Sequence, residues 1–455
     1  MKICLFLGTL LVIMGSAAAA GTYTVNLVRK IIDTNKPTED QKVTMSQNSN
    51  KRSLAEVDED IDYDSEIINQ RDMVYFGNLW FMEVEPVQRL QFIFDTGSSW
   101  LWAGSEECVD CPSTEKLVAE QFANCTGDKR LTYGSGELNG TICTTTVSTE
   151  GEAEKFVKNM RIVKVTSASL PNIVNTEWDG IVGLLPTATG GSQLLVEQMK
   201  QQGMIEKAVF SIRYLDSKYG SEITFGGFDD DIVPQLENFT FTELFDHNYW
   251  SVGLRGMRYG TTDLKIHAQR GILDTGSSLL VLPEPDYNSW FAAISEGRNC
   301  GDYGSYKGCY CDSYSDFEDI YITFGDYEYR IVSNQYVEEI TSNDKNFCYF
   351  LVGKLGNFPI PTAILGDTFI RNYYIYHDME EMRVGLYGEY MENVAPANKR
   401  WIYFGISGVV ILVVIISFSL YYYTKDREDK AKLSKRYSAI LENSQISKGP
   451  LNRSE

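Results

Sequence analysis

The sequence predicts an all-β globular region made of two matching halves, followed by one C-terminal transmembrane helix. Three observations predict it. The pentapeptide Asp95-Thr96-Gly97-Ser98-Ser99 returns 179 positions later as Asp274-Thr275-Gly276-Ser277-Ser278. Tyr and Phe are abundant, with 28 and 22 copies, and glycines punctuate short apolar runs, a texture that favours strands over helices. Residues 401–423 form a run without a single charge.

Each pentapeptide follows an apolar run, Phe92-Ile93-Phe94 in one case and Gly271-Ile272-Leu273 in the other. That pattern reads as a buried strand ending in a turn, with the Asp at the strand end. One Asp-Thr-Gly alone would mark an ordinary turn. Two copies in matching contexts imply a duplication that brings two carboxylates together at a pseudo-symmetric seam.

At 455 residues the chain is long enough for two or three domains with substantial cores. Acidic residues outnumber basic ones 62 to 41, for a formal net charge of −21. No basic stripe exists to displace counterions, which excludes nucleic acid as the expected partner. Few basic groups also limit charge build-up in acid, which is compatible with an acidified compartment.

Residues 1–20 read as a secretory signal peptide: Lys2, an apolar stretch from Ile3 to Met14, then Gly15-Ser16 and four alanines. Eight of the nine cysteines then lie in a chain bound for an oxidising lumen, where they can pair. Residues 21–65 are polar, with Lys51-Arg52 as a dibasic candidate cleavage site and the acidic Glu56-Val57-Asp58-Glu59-Asp60 behind it. The segment does not look like packed core and reads as a propeptide or linker.

Residues 66–228 read as an N-terminal β lobe. After the first motif come Trp100-Leu101-Trp102 and Cys108-Val109-Asp110-Cys111. No nearby His completes a zinc site, so the latter is read as a small disulfide loop and no metal is expected. Leu131 to Leu138 reads as a β-hairpin with glycines at its tip. Cys125 and Cys143 lie nine residues either side of Gly134, so antiparallel pairing sets them nearly opposite each other and predicts Cys125–Cys143, leaving Cys108–Cys111. A short helix is expected near 193–202, stopped by Gly203.

Residues 229–392 read as a C-terminal β lobe with its own motif and a helix near 285–295. Its four cysteines allow three pairings, of which Cys300–Cys309 with Cys311–Cys348 is preferred. Asn124, Asn139 and Asn238 stand in Asn-x-Ser/Thr sequons and are glycosylation candidates.

The run from Trp401 to Tyr423 reaches roughly 35 Å as a helix, enough to span a bilayer. Trp401 and Tyr403 flank one end and Tyr421, Tyr422 and Tyr423 the other. Six basic residues follow, from Lys425 to Arg436, against Lys399 and Arg400 before it. The tail 424–455 is therefore expected in the cytosol, as in a single-pass type I membrane protein. Tyr437-Ser438-Ala439-Ile440 in that tail fits a tyrosine-based pattern for a sorting adaptor.

Taken together, the chain between about Asp72 and Tyr390 resembles the pepsin-like aspartic proteases. The resemblance is carried, in family order, by Tyr75-Phe76-Gly77, Phe94 to Ser99, Leu101-Trp102, Tyr133 to Gly136, Asp179 to Leu184, Ile272 to Ser278 and Ile364 to Arg371. It implies a bilobal fold with a long cleft, Asp95 and Asp274 as the catalytic pair, and a flap at Tyr133, Gly134 and Ser135. Thr96, Gly97, Ser98, Thr275, Gly276 and Ser277 are implied as support of the pair, with Ser98 and Ser277 expected to hydrogen-bond the outer carboxylate oxygens.

Departures are Glu83-Val84-Glu85-Pro86 in place of a Gly-Thr-Pro, Ser277 where Thr is common, a shorter cysteine loop and an added disulfide at the flap base. The implied activity is hydrolysis of proteins and peptides, bound in extended conformation, by a monomeric membrane-anchored endopeptidase that needs no cofactor. The rival reading is a tethered peptide-binding module that keeps the cleft and has lost hydrolysis. Intact Asp95, Asp274 and Tyr133 speak against it.

Overall fold

The computed structural model describes residues 21–31, then 73–388 except 84, 112, 114, 123, 135, 152–154, 171–177, 304–305, 343–344 and 357, then 391–393 and parts of 417–436. It divides into two units, Met1–Glu392 and Asn393–Glu455.

The first unit is mostly β. In its N-terminal half, Gln88–Asp95 pairs antiparallel with Met73–Phe81 and parallel with Gly180–Gly183. Leu101–Gly104 lies on the far side of Gly180–Gly183, so the strand before the first pentapeptide and the strand after it flank Gly180–Gly183. The long hairpin Gly136–Ser148 and Val157–Ser169 continues the sheet, and Asp128–Tyr133 forms its edge. Phe92 and Phe94 are buried on one side of their strand and Ile93 on the other, because the sheet is covered on both faces.

The C-terminal half repeats this local plan. Arg270–Leu273 pairs parallel with Thr362–Leu365, and Leu280–Pro283 pairs antiparallel with Thr362–Leu365. Ser251–Tyr259 lies on the other side of Arg270–Leu273. The two expected helices form at Leu195–Gln201 and Glu284–Ser295. All four cysteine pairs, Cys108–Cys111, Cys125–Cys143, Cys300–Cys309 and Cys311–Cys348, are bonded.

Two features depart from the sequence reading. The halves do not keep separate sheets, because Tyr374–Asp378 of the C-terminal half pairs with Val209–Arg213 of the N-terminal half. In addition, Tyr23–Ile31, within the segment read as unpacked, is a strand between Ser221–Phe225 and Met73–Phe81. Its alternate residues Tyr23, Val25 and Leu27 are buried while Thr24 and Asn26 face outward, the period-two pattern of a half-buried strand.

The Asn393–Glu455 unit has helical turns at 422–428 and 430–436, with Lys430 and Asp426 paired at 2.7 Å. Among the described residues no helix is long and apolar enough to cross a membrane. Residues 1–20 and Tyr437 to Ile440 lie outside the described residues, as does most of 401–423.

Candidate active site

Asp95 is the last residue of Gln88–Asp95, and Asp274 directly follows Arg270–Leu273. Each is held against a parallel neighbour: Leu184 N–H donates to Asp95 O (2.7 Å), and Asp274 N–H donates to Leu365 O (3.2 Å). Each carboxylate is then fixed by the glycine two residues on. Gly97 N–H donates to Asp95 Oδ1 (2.8 Å) and Gly276 N–H to Asp274 Oδ1 (2.9 Å).

The halves meet through the threonines between. Thr96 N–H donates to Thr275 Oγ1 (2.9 Å) and Thr275 N–H to Thr96 Oγ1 (3.0 Å). Each hydroxyl passes its own proton across the seam, Thr96 Oγ1 to Leu273 O (2.8 Å) and Thr275 Oγ1 to Phe94 O (2.6 Å). A two-fold relation between identical sequences produces this reciprocity. The same relation explains both glycines: a Cβ on Gly97 would collide with the Asp274 carboxylate, and one on Gly276 with that of Asp95.

The two carboxyls are within hydrogen-bonding reach of each other. Asp95 is 5 % exposed and Asp274 is half-buried next to the exposed Gly276, so the pair opens to solvent on the Asp274 side. Burial raises the affinity of Asp95 for a proton, with the Ser98 hydroxyl and the Gly97 N–H opposing. Burial, then the negative charge of Asp95, raises Asp274 well above the usual carboxylate range. One proton held between two such groups is a property of the pair; aspartic proteases are a standing example of this effect.

The serines behave unequally. Ser98 Oγ is buried close enough to Asp95 to favour its charged form, yet reaches no direct hydrogen-bond partner among the described residues. Ser277 is buried and donates its backbone N–H to Asp274 O (3.3 Å), without a hydroxyl contact to the carboxylate.

The hairpin Asp128–Tyr133 and Gly136–Ser148 closes with Tyr133 opposite Gly136, which puts Gly134 at the tip; Ser135 lies outside the described residues. Tyr133 OH accepts from Trp102 Nε1 (2.9 Å), and burial and the charge on Asp95 push its phenol far up, so it stays neutral. Trp102, one of the residues that carry the family resemblance, had no expected site role; its signal is its position in the strand just after the first pentapeptide. Asn124, Asn139 and Asn238 are all exposed. Among the described residues no group of His, Cys, Asp or Glu is arranged to hold a metal ion.

Two aspartates at matching strand ends, facing each other across a pseudo-two-fold seam under a hairpin, define the class of two-lobed aspartic peptidases. The chain belongs to the eukaryotic aspartyl protease family, whose model matches residues 81–388. It is 30% identical to cathepsin E of Rattus norvegicus over 337 residues, covering 70% of this chain and 81% of the relative. It is 28% identical to embryonic pepsinogen of Gallus gallus (70% and 82% covered) and to a vacuolar aspartic protease of Candida albicans (71% and 77%). The protein is thus an aspartic-type endopeptidase.

Proposed function

We propose that Asp95 and Asp274 are the catalytic pair and that they hydrolyse peptide bonds of extended protein substrates through an activated water, without a covalent intermediate. The observation that carries this reading is the reciprocal exchange of hydrogen bonds between Thr96 and Thr275, which keeps both carboxylates in fixed, matched orientations. The ionised member of the pair takes a proton from the water while the protonated member polarises the scissile carbonyl. The attacked carbon becomes tetrahedral, and the proton taken up returns to the leaving amine as the C–N bond breaks. Thr96, Gly97, Thr275 and Gly276 orient the pair, with Ser98 beside it. Tyr133, Gly134 and Ser135 act as a flap that covers the substrate and excludes bulk water.

The protein acts as a type I membrane protein with its catalytic unit on the luminal side. The signal-like 1–20, the uncharged Trp401–Tyr423 and the basic residues behind it support this placement. An acidic compartment suits a pair whose proton affinity is raised, and one relative is described as vacuolar. Residues 21–65 act as a propeptide. Because Tyr23–Ile31 fills the centre of a sheet, its removal leaves Ser221–Phe225 and Met73–Phe81 needing a replacement strand. Tyr437 to Ile440 engages a sorting adaptor, and Asn124, Asn139 and Asn238 carry glycans.

The test is incubation of the detergent-solubilised chain with an unstructured protein at about pH 4 to 6, beside Asp95→Asn. Cleavage by the parent and none by the variant is expected. Equal cleavage by both, or none by either after removal of the propeptide, would sink the reading.

A further inference from the structure

The Asn393–Glu455 unit carries a basic island in an acidic chain. Between Lys430 and Arg436 four of the seven residues are cationic and none is anionic, whereas the whole chain has a formal net charge of −21. All seven are exposed helical residues. Of the four cations only Lys430 is in an ion pair among the described residues, with Asp426 one turn earlier at 2.7 Å. Lys432, Lys435 and Arg436 stand at i, i+3 and i+4, the spacing that gathers side chains on one helix face. Like charges at that spacing destabilise a helix in water, and a negative partner removes the repulsion. Leu433, three residues before Arg436, adds an apolar side chain at the edge of the same face and is 59 % exposed.

The place of this segment in the chain names its partner. Lys430 stands seven positions after Tyr423, the last residue of the uncharged run. A segment tethered so close to a bilayer meets the headgroups at high effective concentration. The cytosolic leaflet is the negatively charged one, and each Lys or Arg brought near it adds about fivefold to the binding constant. Cations beside an exposed apolar residue are also what a helix lying in the headgroup plane needs. A soluble polyanion would match the charges and leave Leu433 in water.

We propose, resting on the type I membrane placement above, that the face formed by Lys432, Leu433, Lys435 and Arg436 docks on the anionic lipid headgroups of the cytosolic leaflet. The three cations meet lipid phosphate and carboxylate oxygens, and Leu433 enters the boundary with the acyl chains. The exposed Lys430–Asp426 pair is of the kind that contributes little in water, so Lys430 can turn to the same headgroups. Arg436 directly precedes Tyr437, so docking sets how far the tetrapeptide Tyr437 to Ile440 stands from the leaflet.

The test reconstitutes the full chain into vesicles of phosphatidylcholine alone and of phosphatidylcholine mixed with phosphatidylserine, and follows amide hydrogen exchange over 430–436. Exchange should be about tenfold slower in the anionic vesicles. The difference should vanish at about 1 M salt, where the screening length falls to about 3 Å. It should vanish too in a variant carrying Lys432→Gln, Lys435→Gln and Arg436→Gln. A control carrying Lys207→Gln, Lys218→Gln and Lys265→Gln, all exposed and outside the tail, should keep it. Equal exchange in both vesicles, or a difference that the tail variant retains, overturns the inference. A parent chain that does not float with phosphatidylcholine vesicles at high salt shows instead that the membrane placement fails. Flotation of that chain with preformed anionic vesicles then decides the surface by itself: binding lost in the tail variant supports it, and no binding overturns it.

Discussion

Thr96 and Thr275 each donate a backbone N–H to the other's hydroxyl, at 2.9 and 3.0 Å, in the buried seam between the two halves. Both residues are nearly or fully inaccessible to water, so the bonds have no solvent substitute. Thr275→Val removes an acceptor for Thr96 N–H and a donor to Phe94 O, leaving two buried groups unpaired. At about 1–3 kcal/mol for each such group, the expected loss of stability is about 2–6 kcal/mol, read from denaturant midpoints. Catalysis should fall further than stability explains, because the seam sets the angle between the carboxylates. Thr275→Ser keeps the hydroxyl and should recover most of both.

The dyad makes a prediction about pH as well as rate. Asp95→Asn should reduce turnover by about 10²–10⁴-fold, the range for loss of a positioned acid or base. Both carboxyls bind protons more tightly folded than unfolded. Between the ordinary carboxylate range and the raised folded values, the native state therefore holds more protons than the unfolded chain, and stability falls as pH rises. The contribution is fully present below the unfolded range. Asp95→Asn should flatten this part of the curve, measured as unfolding free energy between pH 4 and 7 at fixed ionic strength; an unchanged slope would count against the shared proton.

Trp102 and Tyr133 form one unit, joined at 2.9 Å between Nε1 and the phenol oxygen, with ring centroids 6.3 Å apart. Trp102→Phe and Tyr133→Phe each remove this bond. Each should lower kcat/KM about three- to tenfold, and the double variant should be little worse than either single one. Losses that add fully would show that the residues act separately.

Much of the site was legible because its logic is local. A strand ending in Asp-Thr-Gly fixes where the carboxylate, the hydroxyl and the close-approach glycine stand, and its repetition supplied the partner. Cys125 and Cys143 were legible for a similar reason, since a hairpin centred at Gly134 brings them together. The strand Tyr23–Ile31 was missed although Tyr23, Val25 and Leu27 alternate with Thr24 and Asn26. Composition averaged over 21–65 drowned a short period-two signal in the polar residues that follow. The pairing of Val209–Arg213 with Tyr374–Asp378 was not legible, because no local pattern tells a strand which distant partner it meets. The Trp102–Tyr133 bond and the absence of a Ser277 hydroxyl contact to Asp274 likewise depend on side-chain geometry set by the assembled sheets.

That shared sheet holds a group working against life in acid. His377 on Tyr374–Asp378 is 1 % exposed, stacked on Phe210 at 4.4 Å and edge-on to Trp250 at 4.8 Å. Its Nδ1 is without a hydrogen-bond partner among the described residues. Burial among these rings pushes the imidazole down to about 3. Unfolded, it titrates near 6.5. Between the two values the unfolded chain binds a proton that the native state refuses, so the stability present above about pH 6.5 is progressively lost as pH falls toward 3. This slope opposes that of the dyad, which gains stability in the same direction. His377→Phe keeps the stack and removes the titration, and between pH 7 and pH 4 it should spare the protein about 2–3 kcal/mol of the loss seen in the parent. Denaturant unfolding at both pH values measures it; parallel pH dependences for parent and variant would mean that His377 is protonated in the folded state and that the ring cage does not exclude charge.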